Sequence, residues 1–315
     1  MTNQNILTVT LNPAIDLACS VPDFTAGKVN RVTEHRLDAA GKGVNIAGLL
    51  RGFDLPVTVT GFLGEENAAI FERRFRNQEI TDRFVRVPGE TRIGIKVLDP
   101  NNESTTDINF PGLQPDPEHM SKLMDMIKRL SGDFSFVVLA GSLPAGVAPE
   151  IMRELVEIVK EQGSKAVVDT SGPALKSAVE AGPWLVKPND EELAELVGVP
   201  MDRQDRIITE ARNLLANGIH TVTVSLGAQG AVFIENDEAL LVRPPGIDPV
   251  STVGAGDAMI GGLVAGMALG MNLQERVRMA TALSAATVAQ AAPSLKDPAA
   301  ARLLEPNVEV NKITI

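Results

Sequence analysis

"SFVVLAGSLPAGVAPEIMRELVEIVKEQGSKAVVDT", residues 135–170, is the stretch from which the architecture is read. "SFVVLAG" at its start and "KAVVDT" at its end are short, nearly continuous apolar runs. Such runs read as strands of a parallel sheet covered on both faces. Between them "PEIMRELVEIVKEQG" has a helical pattern, with Pro149 near its start and Gly163 just past its end. Proline is tolerated in a first turn and glycine favours the residue after a last one.

The same alternation runs along most of the chain. "NILTVTL" (5–11), "VTVTGF" (57–62), "WLVKPN" (184–189) and "TVTVSLG" (221–227) read as further buried strands. "GVNIAGLLRGF", "ENAAIFERRFRN" and "RIITEARNLLANG" read as helices. The expectation is an α/β fold with a doubly wound, mainly parallel sheet flanked by helices, and ligands at the carboxyl ends of its strands. Two stretches break the rhythm. Residues 12–37 carry no helical period, and 91–110 read as a hairpin turning at Asp99-Pro100-Asn101-Asn102. Both are expected outside the main sheet. No linker divides residues 1–315 into independent domains.

Composition narrows the function. The 315 residues are 44% hydrophobic, enough for a large core, and no low-complexity block interrupts them. A formal net charge of −11 argues against a nucleic-acid partner. A small phosphorylated ligand needs only two or three local cations. One cysteine, Cys19, rules out an internal disulfide framework or zinc cluster, and His35, His119 and His220 are scattered singly. The N-terminus lacks a basic, apolar leader pattern. The most membrane-like run, Ala258 to Met271, has fourteen residues against the roughly 20 needed to span. Its Gly262-x-x-x-Gly266 spacing reads as a tightly packed buried helix. The expectation is a soluble cytoplasmic protein with no membrane partner.

Four constellations carry candidate chemistry. The first is "TVGAGD", which places Asp257 directly behind Gly254, Ala255 and Gly256 and ahead of an apolar helix. Free amides at a helix start bind phosphate, and an acid there either caps the helix or accepts a proton from an attacking hydroxyl. A dinucleotide fingerprint would need glycine where Met259 stands, and no Walker loop occurs. The second is "WLVKPNDEEL", where Asn189 and Glu192 share a helix face at i, i+3, and Lys187 stands just before them. Their oxygens either stabilise the helix start or hold Mg²⁺ through water. "SLGAQGA" is the third, a turn with Ser225, Gly227 and Gly230 that either is an ordinary tight turn or lies against a nucleotide. Fourth, "TLNPAID" and "DAAGKGVNIAGLL" bring Asp16, Gly41, Lys42 and Asn45. Asp and Asn match vicinal sugar hydroxyls, while Lys42 and Arg92 suit an anionic group.

Together "AAGKGVNIA", "GSLPAG", "DTSG", "KPNDEE", "SLGAQG" and "TVGAGD" resemble, in order and spacing, the ribokinase-like, or PfkB, carbohydrate kinases. The resemblance spans essentially the whole chain. "TLNPAID", "TRIGIKV" and "TDINFPG" are most similar to the branch that phosphorylates fructose 1-phosphate at its 6-hydroxyl. Kinases of tagatose 6-phosphate and fructose 6-phosphate are the alternatives. The resemblance implies ATP and Mg²⁺, with Asp257 as catalytic base and Gly254, Ala255 and Gly256 as its anion hole. It implies that Asn189 and Glu192 tune magnesium and phosphate binding, beside Lys187. Ser225, Gly227 and Gly230 match its ATP-binding turn. Asp16, Gly41, Lys42, Asn45, Arg92 and Ser142 fall where a phosphorylated ketohexose is contacted. It also implies that the two irregular stretches, about 12–37 and 91–110, form a β-sheet lid that pairs subunits into a homodimer. Ala40 stands where many members carry a further glycine. From another class, a sugar-phosphate sensor without turnover would share the pocket, but it has no need of a base.

Overall fold

A computed structural model describes residues 4–236, 238–290 and 298–313. Strands β1 (Ile6–Thr10), β2 (Ala14–Ser20) and β3 (Glu34–Ala40) precede helix α1 (Lys42–Arg51). Then come β4 (Val57–Gly64), α2 (Ala69–Asn77), and the short strands β5 (Thr81–Asp82) and β6 (Val85–Val87). The hairpin β7 (Ile93–Asp99) and β8 (Ser104–Asn109) leads to α3 (Pro117–Leu130). The quoted unit follows as β9 (Phe136–Ala140), α4 (Ile151–Glu161) and β10 (Lys165–Asp169). Next are α5 (Gly172–Glu180), β11 (Leu185–Val186), α6 (Asp190–Val197), α7 (Gln204–Leu215) and β12 (Thr221–Ser225). The chain ends through β13 (Ala231–Glu235), β14 (Glu238–Arg243), α8 (Ala255–Ala268), α9 (Leu273–Val288), α10 (Ala299–Arg302) and β15 (Glu309–Ile313).

The main sheet has the order β15-β14-β13-β12-β11-β10-β9-β1-β4-β5, with β6 also on β4. Pairing is parallel from β5 to β12 and antiparallel from β12 to β15. The strand period of two sends successive side chains to opposite faces. In β9, Phe136, Val138 and Ala140 join the core under α1, α2, α8 and α9. Val137 and Leu139 join the second core, under α3 to α7. Helices on both faces explain why these strands are apolar throughout.

Two helices are buried nearly all round, and they pack on one another. A methyl group on Gly262 of α8 would sit 2.6 Å from Ala280 Cα of α9. The small-residue spacing therefore serves a helix contact inside the fold. No helix among the described residues is long and apolar enough to cross a membrane.

One strand is shorter than the sequence suggests. In the run 184–189 regular strand covers only Leu185–Val186, beyond which Asn189 keeps a single isolated bridge to Ser225. Pro188 has no N–H to give a ladder, and Asn189 already caps α6.

β2, β3, β7 and β8 form a separate four-stranded sheet of order β3-β2-β7-β8. Its register aligns Asp16 with Asp38 and Gly94, and Ala18 with Arg36 and Lys96. This polar face meets Ser251 and Val253 across a narrow crevice lined also by Asp16, Arg36, Asp38 and Lys96. The opposite face carries Leu17, Cys19, Ile95 and Val97, packed together.

Candidate active site

β1 lies between β4 on one side and β9 on the other, so the chain's direction of winding reverses there. Ligands of doubly wound sheets sit at such a point, outside the carboxyl ends of the strands. Asn12 follows β1, Ser142 follows β9, Asp169 ends β10, Lys187 follows β11 and Ser225 ends β12. Asn12 Nδ2 donates to Ser142 Oγ at 3.1 Å, joining the loops beyond β1 and β9.

The N-terminus of α8 also belongs to this edge, through its contact with Lys187. Gly254 caps it in the left-handed region (φ 83°), a conformation that glycine adopts without steric cost. No side chain caps this end. The first intrahelical bond runs from Ala258 N to Gly254 O, so the amides of Gly256 and Asp257 lie ahead of it. A methyl group on Gly256 would stand 3.3 Å from Lys187 Nζ, which places that ammonium beside the turn.

Asp257 is buried and accepts a hydrogen bond from Asn45 Nδ2 at 3.0 Å. Burial, then the negative charge of Asp169, raises its pKa to about 6, against the pull of Lys42, the Asn45 bond and Lys187. A carboxyl so tuned is ionised at neutral pH yet still basic enough to take a proton.

Asp169 is a residue that sequence reasoning missed. It is fully buried, and Lys42 and Lys187 each approach its Oδ1 at 3.2 Å. Against the cost of burial, those two lysines hold its carboxyl below the usual range. Asp169 in turn raises the Lys42 pKa further above the usual lysine value. Lys187 is itself buried, whereas 40% of the Lys42 side chain is exposed. Arg74 was missed as well; it donates to Asn45 Oδ1 at 3.3 Å.

Other predicted residues divide into groups. Asn45 is buried, and its amide donates to Asp257 and accepts from Arg74. Asn189 and Glu192 make a reciprocal capping box: Glu192 N donates to Asn189 Oδ1 at 2.7 Å, and Asn189 N to Glu192 Oε2 at 2.9 Å. That accounts for the spacing as a helix start. It engages one carboxylate oxygen, which fits an outer, water-mediated hold on a cation and not a direct cage. Among the described residues no group of three or more His, Cys, Asp or Glu is arranged for a metal. Ser225 joins Asn189 through an isolated parallel bridge. Gly227 opens to free space, but a methyl on Gly230 would lie 1.9 Å from Val242 O, so β14 itself demands glycine there.

Gly41 precedes α1 and Lys42 begins it. Asp16 lies 3.8 Å from Lys96, and burial raises its pKa against the opposing pull of Lys96 and Arg92. Arg92 donates from Nη2 to Asn12 O at 3.4 Å, while its buried Nε has no partner among the described residues.

Residues 6–300 match the family described as pfkB family carbohydrate kinase. The chain belongs to that family. It is 43% identical to a 1-phosphofructokinase of Rhodobacter capsulatus over 93% of each chain. It is 38% identical to the 1-phosphofructokinase of Escherichia coli K12 over 94% of each. Among solved structures it resembles phosphofructokinase-2 of Escherichia coli in complex with substrates and products. There the TM-score is 0.91 at 27% identity, over 96% of this chain and 98% of that one. A possible 1-phosphofructokinase of Thermotoga maritima gives 0.90 at 27%, over 98% and 100%. These solved kinases thus share this chain's fold along nearly its whole length.

Proposed function

We propose that this pfkB kinase transfers the γ-phosphoryl group of ATP to the 6-hydroxyl of fructose 1-phosphate, giving fructose 1,6-bisphosphate and ADP. The observation that carries the chemistry is Asp257: a buried carboxyl, raised to about 6, next to helix-start amides and two lysines. It accepts the hydroxyl proton as the C6 oxygen bonds to the γ-phosphorus and the bond to the β-phosphate oxygen breaks. Gly254, Ala255 and Gly256 lead the helix-start amides toward the migrating group, where fixed dipoles stabilise developing charge without reorganising. Lys187 and Lys42 add positive charge, and Ser225 and Gly227 offer backbone to the nucleotide.

Mg²⁺, when bound, neutralises phosphate charge; Glu192 and Asn189 would hold it through water. Asp16 and Gly41 suit the sugar and Ser142 borders it, with Arg92 on the 1-phosphate. Asp16 offers acceptor oxygens for hydroxyls, with Lys96 and Arg92 opposing the burial that raises its pKa. The small sheet serves as a lid on a single kinase domain. Its far face, with Leu37 and Ile108 about half exposed, is the surface for pairing two copies into a dimer. Sedimentation analysis of the full chain tests that pairing.

A second acceptor has a specific observation behind it. One close structural relative is phosphofructokinase-2 in complex with fructose 6-phosphate, at TM-score 0.89 and 26% identity. The fructose 1-phosphate reading rests on the much higher identity, 36–43%, to proteins named for that activity. A coupled ADP-release assay with fructose 1-phosphate, fructose 6-phosphate and tagatose 6-phosphate decides between them. Fructose 1-phosphate should give the highest kcat/KM. A higher value for either other sugar overturns the assignment, and no ADP release with any of the three overturns the phosphoketohexose reading.

A further inference from the structure

The guanidinium of Arg74 is half-buried between the end of β3 and the first turns of α1. It donates to the carbonyls of Ala39 and Val44, to Gln78 Oε1 and to Asn45 Oδ1. Asn45 in turn donates from Nδ2 to Asp257 Oδ2. An amide can present either an oxygen or an NH₂ group in a given direction, but a guanidinium can only donate. The Asn45 atom that meets Arg74 must therefore be oxygen, and the opposite end must be the NH₂ group.

We propose that Arg74 is a positioning residue that fixes the direction of the chain Arg74→Asn45→Asp257, so that Asp257 always receives a hydrogen bond and stays the proton acceptor. The inference rests on the assignment of Asp257 as base and assigns Arg74 no contact with substrate.

Two independent features support it. Gly48 lies inside α1, where glycine weakens a helix relative to alanine. A methyl group there would stand 2.8 Å from Arg74 Nη2, so the glycine makes room for the guanidinium. Burial also lowers the Arg74 pKa to about 10 despite Asp38 and Asp257, yet it remains charged at neutral pH. Taking even part of a cation out of water is costly unless it is paired. Here the guanidinium donates to one backbone carbonyl each of β3 and α1, to the Gln78 side chain just after α2, and to the amide of Asn45.

Without Arg74 the Asn45 amide is free to turn over and present its oxygen to Asp257. A lone pair facing a carboxylate favours the protonated acid, so the Asp257 titration should rise. The groups facing Asp257 are Lys42 and Asn45 from α1, Asp169 from the end of β10, and Lys187 after β11. Those facing Arg74 are Asp38 of β3 and Asp257 itself. Replacing Arg74 alters none of these groups, but R74M also removes the Arg74 charge that Asp257 feels, a charge that G48A keeps.

The test is ¹³C-carboxyl NMR of the full chain, with the Asp257 signal identified by its loss in D257N. In R74M the Asp257 midpoint should rise by about one unit, with kcat in the acid limb falling up to about tenfold and the KM for ATP changing less than about twofold. R74K, still a donor-only cation, should restore most of the shift. G48A, which crowds the guanidinium, should move the midpoint the same way as R74M. An unchanged midpoint in R74M overturns the proposal. If R74M does not fold, the wild-type protein decides: the Asn45 side-chain NH₂ signals must move with the Asp257 titration, and flat signals overturn it. If D257N keeps normal turnover, the base assignment fails, while the NMR titration still judges Arg74 separately.

Discussion

The Lys187 ammonium stands 3.2 Å from Asp169 Oδ1, with both side chains buried and the same oxygen shared by Lys42 at 3.2 Å. Lys42 comes from the start of α1, and Lys187 from the segment after β11. One carboxylate thus holds together two cations at the carboxyl edge of the sheet, within reach of Asp257.

Asp169→Asn should separate stability from acidity. It leaves the Lys187 charge buried with a weaker partner, and breaking a buried pair costs about 3–5 kcal/mol. The folded pKa of Asp169 is lowered, so its contribution is present above the normal aspartate pKa and lost only as pH falls through the folded value. Denaturant melts at pH 7 should therefore show the loss, and melts at pH 3 should show less. The acid limb of the rate profile should move down, because removing Asp169 removes a charge that raises Asp257. An acid limb moving upward would contradict this electrostatic picture.

Asp257 itself predicts opposite effects on rate and stability. Its replacement by Asn should lower kcat by about 10²–10⁴-fold, the usual contribution of a general base, with little change in nucleotide affinity. In the wild type, kcat should fall as pH drops through about 6. For stability the sign is reversed from that of Asp169. A carboxyl raised on folding contributes fully below its unfolded pKa, and that contribution is lost as pH rises through about 6. Asp257→Asn should then stabilise the protein at pH 7.5, by about 2–3 kcal/mol at most, and by nothing near pH 4. Thermal melts at both values check it.

What the sequence made legible, and what it hid, follows from chain distance. "TVGAGD" is local, so the glycine cap, the helix start and the acid can be read from six letters. The strands of β9 and β10 are equally local, because burial on both faces leaves a continuous apolar run. Asp169 looks like any strand-end residue. Its partners lie 127 residues before it and 18 after it, and no periodicity connects them. Arg74 sits among Arg73 and Arg76 on an amphipathic helix, where a basic cluster reads as solvated surface. The available signal was Gly48, a glycine inside a helix with no turn to explain it. Asn189 and Glu192 were ambiguous for another reason: a capping box and a cation site ask for the same residues at the same spacing.

The two glycines of the "SLGAQG" turn should respond differently to alanine. Gly230 has φ 99° and β14 pressed against it, so Gly230→Ala should disrupt folding and reduce soluble yield. Gly227 has φ 56° with open space around it. Gly227→Ala should cost only the strain of a left-handed residue, about 1–2 kcal/mol. If that open space is where the nucleotide lies, the KM for ATP should rise while the KM for the sugar phosphate stays. A change confined to the sugar phosphate would move the nucleotide away from this turn.

If Arg92 meets the sugar's phosphate, it should tell a phosphosugar from an unphosphorylated one. Its Nε is buried with no partner among the described residues, and one Nη makes only a long bond to Asn12 O. Leaving a buried charged donor unsatisfied is costly, and an incoming phosphate would satisfy it. Arg92→Ala should therefore raise the KM for fructose 1-phosphate by about 10–100-fold, the equivalent of one charge-assisted bond of about 1.5–3 kcal/mol. The KM for ATP should move less than about twofold, and Arg92→Lys should recover only part of the loss, because an ammonium does not reproduce the planar fork. Initial-rate kinetics with each substrate varied in turn provide the measurement. Equal rises in both KM values would show that Arg92 orders the whole cleft through Asn12 and does not meet the sugar's phosphate.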